Sequence, residues 1–389
     1  MPDIVLHQNE LESVTWDELD VDPYPTYRTL REQAPVAYLP GAESWVVSTW
    51  DDCASIDANP AIEHRDPITD EFFGTPNVMS MSGDEHRRMR VGIDATLRPR
   101  ALRSRIEASR PVLIEYIEKI RPLGRADLVT ELFERISVRI VGDYIGLADI
   151  DDETLLSWYY ALMNEPDDAT VVTLDQMQSH LREKIARLRN EPDDSVISHM
   201  LHDGLDVGQP PRDFDDIMPT VRVILLGGFL EPSNSISNTF FALFSERQQL
   251  AELVANPAEL SGPALEEGLR WMSPIGATQR TVRDDIEVHG VVIPAGAVLQ
   301  ISVASANHDE SRYEHPEKFD LHRPPSPHAA FGHGAHHCAG HAIARWIGTA
   351  VIEEVVTRLP GLRPAPDTQA APHGWLSRGV KSLPAVWDA

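Results

Sequence analysis

Cysteine is the scarcest informative residue: the 389-residue chain has two, Cys53 and Cys338. Two cysteines cannot build a disulfide framework, so a small stapled secreted fold is excluded. Long apolar runs are also missing. The longest, Val223 to Leu230 (VILLGGFL), is far too short to span a bilayer. The first residues, MPDIVLHQNELESVTW, have neither a basic region nor an apolar one, which predicts neither a signal peptide nor a membrane anchor. Basic residues are outnumbered, 34 against 61 acidic, leaving a net charge of −27. That balance argues against nucleic acid and anionic membranes as partners and suits a docking partner with a basic face. No repeat, low-complexity tract or Pro/Gly-rich linker interrupts the chain. The expectation is one domain over 1–389, in a cytoplasmic enzyme.

What is present is mostly helical periodicity. DPYPTYRTLREQAP reads as a helix entered through prolines, and VAYLP and SWVVST alternate like strands. From about Asp84 to Arg270 apolar residues recur at three-to-four spacing, notably in RALRSRIEASRPVLIEYIEKI and ADLVTELFERISVRIVGDYIGL. NEPDDSVISHMLHDG reads as a capped helix, and PTVRVILLGGFLEPSNSISNTFFALFSE as a long apolar helix crossing the middle of the molecule. From Gln279 the Val/Ile alternation of QRTVRDDIEVHGVVIPAGAVLQISVASANHD predicts β-structure. A last helix follows Cys338, and a strand-like tail closes the chain. The fold class is mainly α with a minor β-sheet.

The densest chemistry lies in AFGHGAHHCAGHAIAR, Ala330 to Arg345, with four histidines and Cys338 among glycines. Structural zinc wants paired ligands and more cysteine than this. A nucleophilic thiol wants a base and an orienting group, and the stretch matches none of the local nucleophile signatures. A buried inert cysteine leaves the flanking glycines unexplained. A thiolate held against a macrocyclic cofactor explains them: glycines admit close backbone approach, and a helix starting just after Cys338 favours the anion.

The spacing Phe331-x-x-Gly334-x-x-x-Cys338-x-Gly340 resembles the haem-binding signature of the cytochrome P-450 family. EEGLRWMSP supplies a Glu267/Arg270 pair, and YEHPEKFDLHRP resembles the family's meander with Arg323. DEHRRMR resembles the motif that places His86 and Arg90 on one helical face, with Arg87 and Arg88 pointing elsewhere. The resemblance covers essentially the whole chain. It implies the P-450 fold, with haem b (iron protoporphyrin IX) between the long central helix and the cysteine loop, and Cys338 as ligand to the haem iron. It implies that Phe331, Gly332 and Gly340 shape the thiolate turn, that His86, Arg90, Arg280 and His336 hold the propionates, and that Glu267, Arg270 and Arg323 form a structural network. The implied reaction activates O2 with two electrons and two protons to oxidise a C–H bond, assisted by thiolate donation.

The central helix departs from the family pattern. GGFLEPSN puts Glu231 at the usual acid and Pro232 at the usual threonine, with Ser233 and Asn234 next. Glu231 reads as a proton-relay acid aided by water, Ser233 or Asn234, while helix packing is the plainer role for the last two. Together with EGLRWMSPI, SANHD, DLHRPPSPHAAFG, PDDSVISHMLHDG and the C-terminal HGWLSRGV, this motif resembles a bacterial subgroup of guaiacol-type aromatic O-demethylases, which act on lignin-derived aromatics and release formaldehyde. The subgroup implies a methoxylated aromatic substrate and electrons from NAD(P)H through a flavin and iron–sulfur reductase. By the same resemblance Phe73, Met79, Val223, Gly227, Ile275 and Thr278 line the pocket, beneath a Trp375–Ser377 loop. Ser377 stands where an aromatic is expected, and NEPDDATVV lacks an expected phenylalanine, so the pocket is wider or more polar. The alternatives are hydroxylation of a terpenoid, fatty acid or macrolide intermediate, and a haem protein that binds ligands without turnover.

Overall fold

The computed structural model describes residues 11–57, 59, 62–63, 67–163 and 167–389. Part of the NEPDDATVV segment and the first ten residues lie outside these. The elements that position the site, numbered in chain order, include nine helices. They are α1 (Trp50–Asp57), α2 (Gly83–Ala95), α3 (Pro99–Ile120), α4 (Glu134–Ile145), α5 (Asp152–Met163), α6 (Val196–His202), α7 (Phe214–Ser245), α8 (Pro257–Trp271) and α9 (His341–Arg358). The strands are β1 (Val36–Leu39), β2 (Ser44–Val47), β3 (Ile62–Glu63), β4 (Thr278–Val282) and β5 (Val298–Ile301).

Two compact units emerge. The first comprises Met1–Asp66, Asn234–Cys338 and Leu362–Ala385. Its sheet has the order β1-β2-β5-β4-β3. Only the β2–β5 pair is parallel, with Val46 opposite Gln300, and Arg280 of β4 sits opposite Leu299. Val/Ile alternation turns Val47, Val282, Leu299 and Ile301 into a buried layer with Trp50, Cys53 and Ile56 of α1. Cys53 is thus a core residue whose thiol faces the carbonyls of Val47 and Ser302.

The second unit comprises Pro67–Ser233, Ala339–Gly361 and Val386–Ala389 and is helical. Pro111 lies inside α3, which nonetheless runs unbroken over 22 residues. The segment that follows differs from the periodic reading: Arg125–Asp127 is a strand and Val129–Phe133 a π-helical turn before α4 begins. Asp127 explains the break, because its Oδ1 accepts from the Val129 N–H in a local turn. Ser195 caps α6 by accepting from the Ser198 N–H. Gly228 lets α7 and α4 approach, since a Cβ there would meet Val141 Cγ1 at 2.5 Å. SVASANHD, read as β, instead turns into the short helix Val303–Ala306. Among the described residues no helix is long and apolar enough to cross a membrane.

Candidate functional site

In the first unit Cys338 closes an eight-residue loop. Its N–H donates to the Phe331 carbonyl at 2.9 Å, and two 3₁₀ turns, Ala329–Phe331 and Gly334–His336, fold the chain between them. Gly332 has φ +68°, a left-handed value costly to any residue with a Cβ. The Phe331 ring is half-buried, 5.8 Å from the His328 ring. The Cys338 side chain is exposed, and α9 begins three residues later with Gly340 at its N-cap. A helix N-terminus so close favours the thiolate. Among the described residues no three His, Cys, Asp or Glu side chains cluster as a metal site.

Glu267, Arg270 and Arg323 meet in one buried network. Arg270 donates to both Glu267 oxygens at 2.8 and 2.6 Å, and Arg323 Nε lies 3.1 Å from each. Arg270 also donates to the carbonyls of Asn307, Pro316 and Lys318. The network therefore staples α8 to the meander that precedes the cysteine loop.

Arg280 is buried on β4, where it ion-pairs with Asp57 at 2.7 Å, and its Nε has no partner among the described residues. His336 ends the second 3₁₀ turn. Ile275 and Ser377 form an antiparallel bridge, Thr278 opens β4, and Ser377 is exposed. Trp375 departs from the expectation of a pocket lid. Its indole N–H donates to Tyr27 Oη at 2.6 Å, and its ring packs edge-on against Trp16, fully buried. A large aromatic with one polar atom is best satisfied in such a core, so Trp375 anchors the loop.

In the second unit His86 and Arg90 lie four apart on α2. His86 is buried, and burial, then the Arg90 charge, lower its pKa. Arg90 also pairs with Asp94 at 3.1 Å. Arg87 and Arg88 are exposed and pair with Asp84 and, at 2.7 Å, with Asp206. The Val78 N–H donates to Thr220 Oγ1 and Arg222 to the Phe73 carbonyl, which holds the segment of Phe73 and Met79 against α7. Val223, Gly227 and Glu231 follow at four-residue steps along α7. A Cβ at Gly227 would meet only Glu231 Oε2, at 3.3 Å, so open space lies over that face. Glu231 Oε2 and Ser233 Oγ are buried without a hydrogen-bond partner among the described residues. Burial raises the Glu231 pKa to about 8. Pro232 is buried and has no N–H to give the Gly228 carbonyl, yet α7 continues through it.

The residues of the first unit fit an iron protoporphyrin: an exposed thiol in a glycine-lined loop and a buried guanidinium with a spare donor. Comparison with known proteins agrees. The family model described as Cytochrome P450 matches residues 261–361. The chain is similar to cytochrome P450 proteins along most of its length. It is 29% identical to the Cytochrome P450 monooxygenase PikC of Streptomyces venezuelae over 94% of this chain and 91% of that one. It is likewise 29% identical to the Steroid C26-monooxygenase of Mycolicibacterium smegmatis, covering 81% and 80%. The structure of P450BioI with an acyl carrier protein bearing hexadec-9Z-enoic acid superposes with TM-score 0.82 at 25% identity, covering 94% and 98%.

The protein is a haem b oxidoreductase of the monooxygenase class, with the mainly α fold and minor sheet of P450 structures. The haem, when bound, supplies the activation of O2 with electrons delivered by a redox partner. Sequence reasoning missed Asp57. Nothing in CASIDANP signals it, because its partner Arg280 is 223 residues away.

Proposed function

We propose that this protein hydroxylates a bulky apolar substrate of the secondary-metabolite or lipid type. The observation that carries this reading is the face of α7 at Gly227, where a Cβ would meet only Glu231 Oε2, at 3.3 Å. Met79 keeps 41% of its surface exposed. A small aromatic needs a closed apolar pocket, whereas an open lining suits a larger ligand. The relatives' names speak of a steroid monooxygenase and a mycinamicin hydroxylase/epoxidase, and P450BioI was solved with a fatty-acyl carrier protein, which supports the same range.

In this reading Cys338 is the axial thiolate, with Phe331, Gly332 and Gly340 shaping its turn. His86, Arg90, Arg280 and His336 hold the propionates, and Glu231 passes protons. Phe73, Val223, Ile275 and Thr278 contact substrate. Electrons come from an NAD(P)H-dependent flavin and iron–sulfur reductase. One domain works in the cytoplasm. A second reading, O-demethylation of a methoxylated aromatic, is favoured by the Glu231–Pro232 pair and the segments that accompany it in the sequence.

The test is a spectral titration of the haem protein with a macrolide, a steroid, a long-chain fatty acid and guaiacol, followed by turnover with NADPH and reductase. Hydroxylation of one of the first three is expected. Formaldehyde release from guaiacol, with no spectral response to the others, would transfer the assignment to the second reading. Cys338→Ala is expected to abolish the ferrous–carbonyl band diagnostic of thiolate ligation. A variant that keeps that band overturns Cys338 as ligand.

A further inference from the structure

Asp57 is a buried carboxylate at the end of α1, 7% exposed, that the assignments above leave without a role. Its two oxygens each accept a hydrogen bond from a segment of the candidate haem site. Oδ1 accepts from Arg280 Nη2 at 2.7 Å, and Oδ2 accepts from the His333 N–H at 3.0 Å. His333 lies in the cysteine loop next to Gly332. The other end of α1 holds the same residue, because the Trp50 and His333 rings meet edge-on at 5.5 Å. One short helix thus grips the loop at backbone and side chain while fixing the guanidinium on β4.

Arg280 is not used up by this pair. A guanidinium carries five N–H donors. Nη2 serves Asp57, Nη1 serves the Gln279 carbonyl, and the buried Nε has no partner among the described residues. Donors remain for a second acid. A buried carboxylate so close also offsets part of the arginine's charge, and second-shell charge is one of the levers that set haem electronics.

We propose that Asp57 is a positioning residue for the haem edge: it orients Arg280 toward a propionate, offsets part of its charge and ties both to the cysteine loop through His333. This rests on Arg280 as a propionate partner. Three variants of the haem-loaded protein test it: Asp57→Asn, Arg280→Gln and the double variant. The readouts are haem transfer to apomyoglobin and the haem reduction potential.

Asp57→Asn removes a negative charge near the haem edge and is expected to shift the potential upward. Arg280→Gln strands the buried carboxylate and is expected to speed haem transfer at least about tenfold, the worth of a charge-assisted hydrogen bond. The double variant is expected to recover part of that loss, since no stranded charge remains. An unmoved potential in Asp57→Asn overturns the proposal, even where thermal stability falls. Arg280→Gln with unchanged haem transfer instead overturns the propionate assignment itself, and the proposal with it.

Discussion

Two buried carboxylates, Glu267 and Glu231, sit in very different company. Glu267 accepts from Arg270, from Arg323 and, at 2.9 Å, from the Asp320 N–H. Glu231 has an oxygen buried with no partner among the described residues, and burial raises its pKa to about 8. A charge kept for structure is surrounded by donors, because an unpaired one costs several kcal/mol. A carboxyl that must gain and lose a proton is poorly served by such donors, which would lock it ionised. The contrast separates a staple from a candidate relay by solvation alone.

The largest effect is expected at the staple. Arg270→Ala leaves Glu267 buried with fewer donors and strips the Asn307 and Pro316 carbonyls of theirs. A loss of about 3–5 kcal/mol is expected, with poor haem incorporation, as read by denaturant unfolding and by the haem-to-protein absorbance ratio. A loss under about 1 kcal/mol would show that the network is no staple.

Glu231→Gln comes next and separates the two carboxylates by pH. Neutral Glu231 is favoured in the folded protein, so between its unfolded pKa near 4.5 and about 8 the native state holds the extra proton. Stability from this group is fully present below about 4.5 and is lost as pH rises to about 8. Glu231→Gln, neutral throughout, is expected to flatten that part of the stability–pH curve. Turnover is expected to fall about 10²-fold, within the usual range for removing a general acid–base group. Unchanged turnover would remove Glu231 from proton delivery.

Much of this contrast is legible in the sequence. Glu267 and Arg270 are three apart on one helix, and Cys338 announces itself by its glycines. Local spacing carries such features. The features that escaped are long-range or depend on burial: Asp57 with Arg280, Arg110 with Glu353 and Glu354 across more than 240 positions, and the solvation of Glu231. Trp375 was misplaced for the same reason, since its partner Tyr27 lies 348 positions away. The strand and π-turn before α4 were hidden because ADLVTELF carries helical periodicity, while a local Asp127 hydrogen bond overrides it.

Gly227→Phe would sharpen the comparison on the substrate side. The added ring fills the open face and presses on Glu231 Oε2, already 3.3 Å from where the Cβ would stand. Spectral response to bulky ligands is expected to weaken at least about tenfold, while the haem spectrum stays intact. Equal binding would place the substrate elsewhere.

The smallest effect is expected at Pro232. Proline inside a helix costs up to about 3 kcal/mol where the neighbours cannot adapt. Here α7 runs on for thirteen residues past it, to Ser245, so the surroundings have already absorbed the bend. Pro232→Thr restores an N–H for the Gly228 carbonyl, worth about 1 kcal/mol, and a β-branched residue offsets some of that gain. Melting temperature is expected to rise by at most a few degrees. Turnover is expected to change less than in Glu231→Gln, because the proposed proton path runs through the carboxyl four residues from Gly227 and not through position 232. Should Pro232→Thr alter turnover more than Glu231→Gln does, the proton path belongs to the helix opening at the proline, and the under-solvated carboxyl is a packing residue after all.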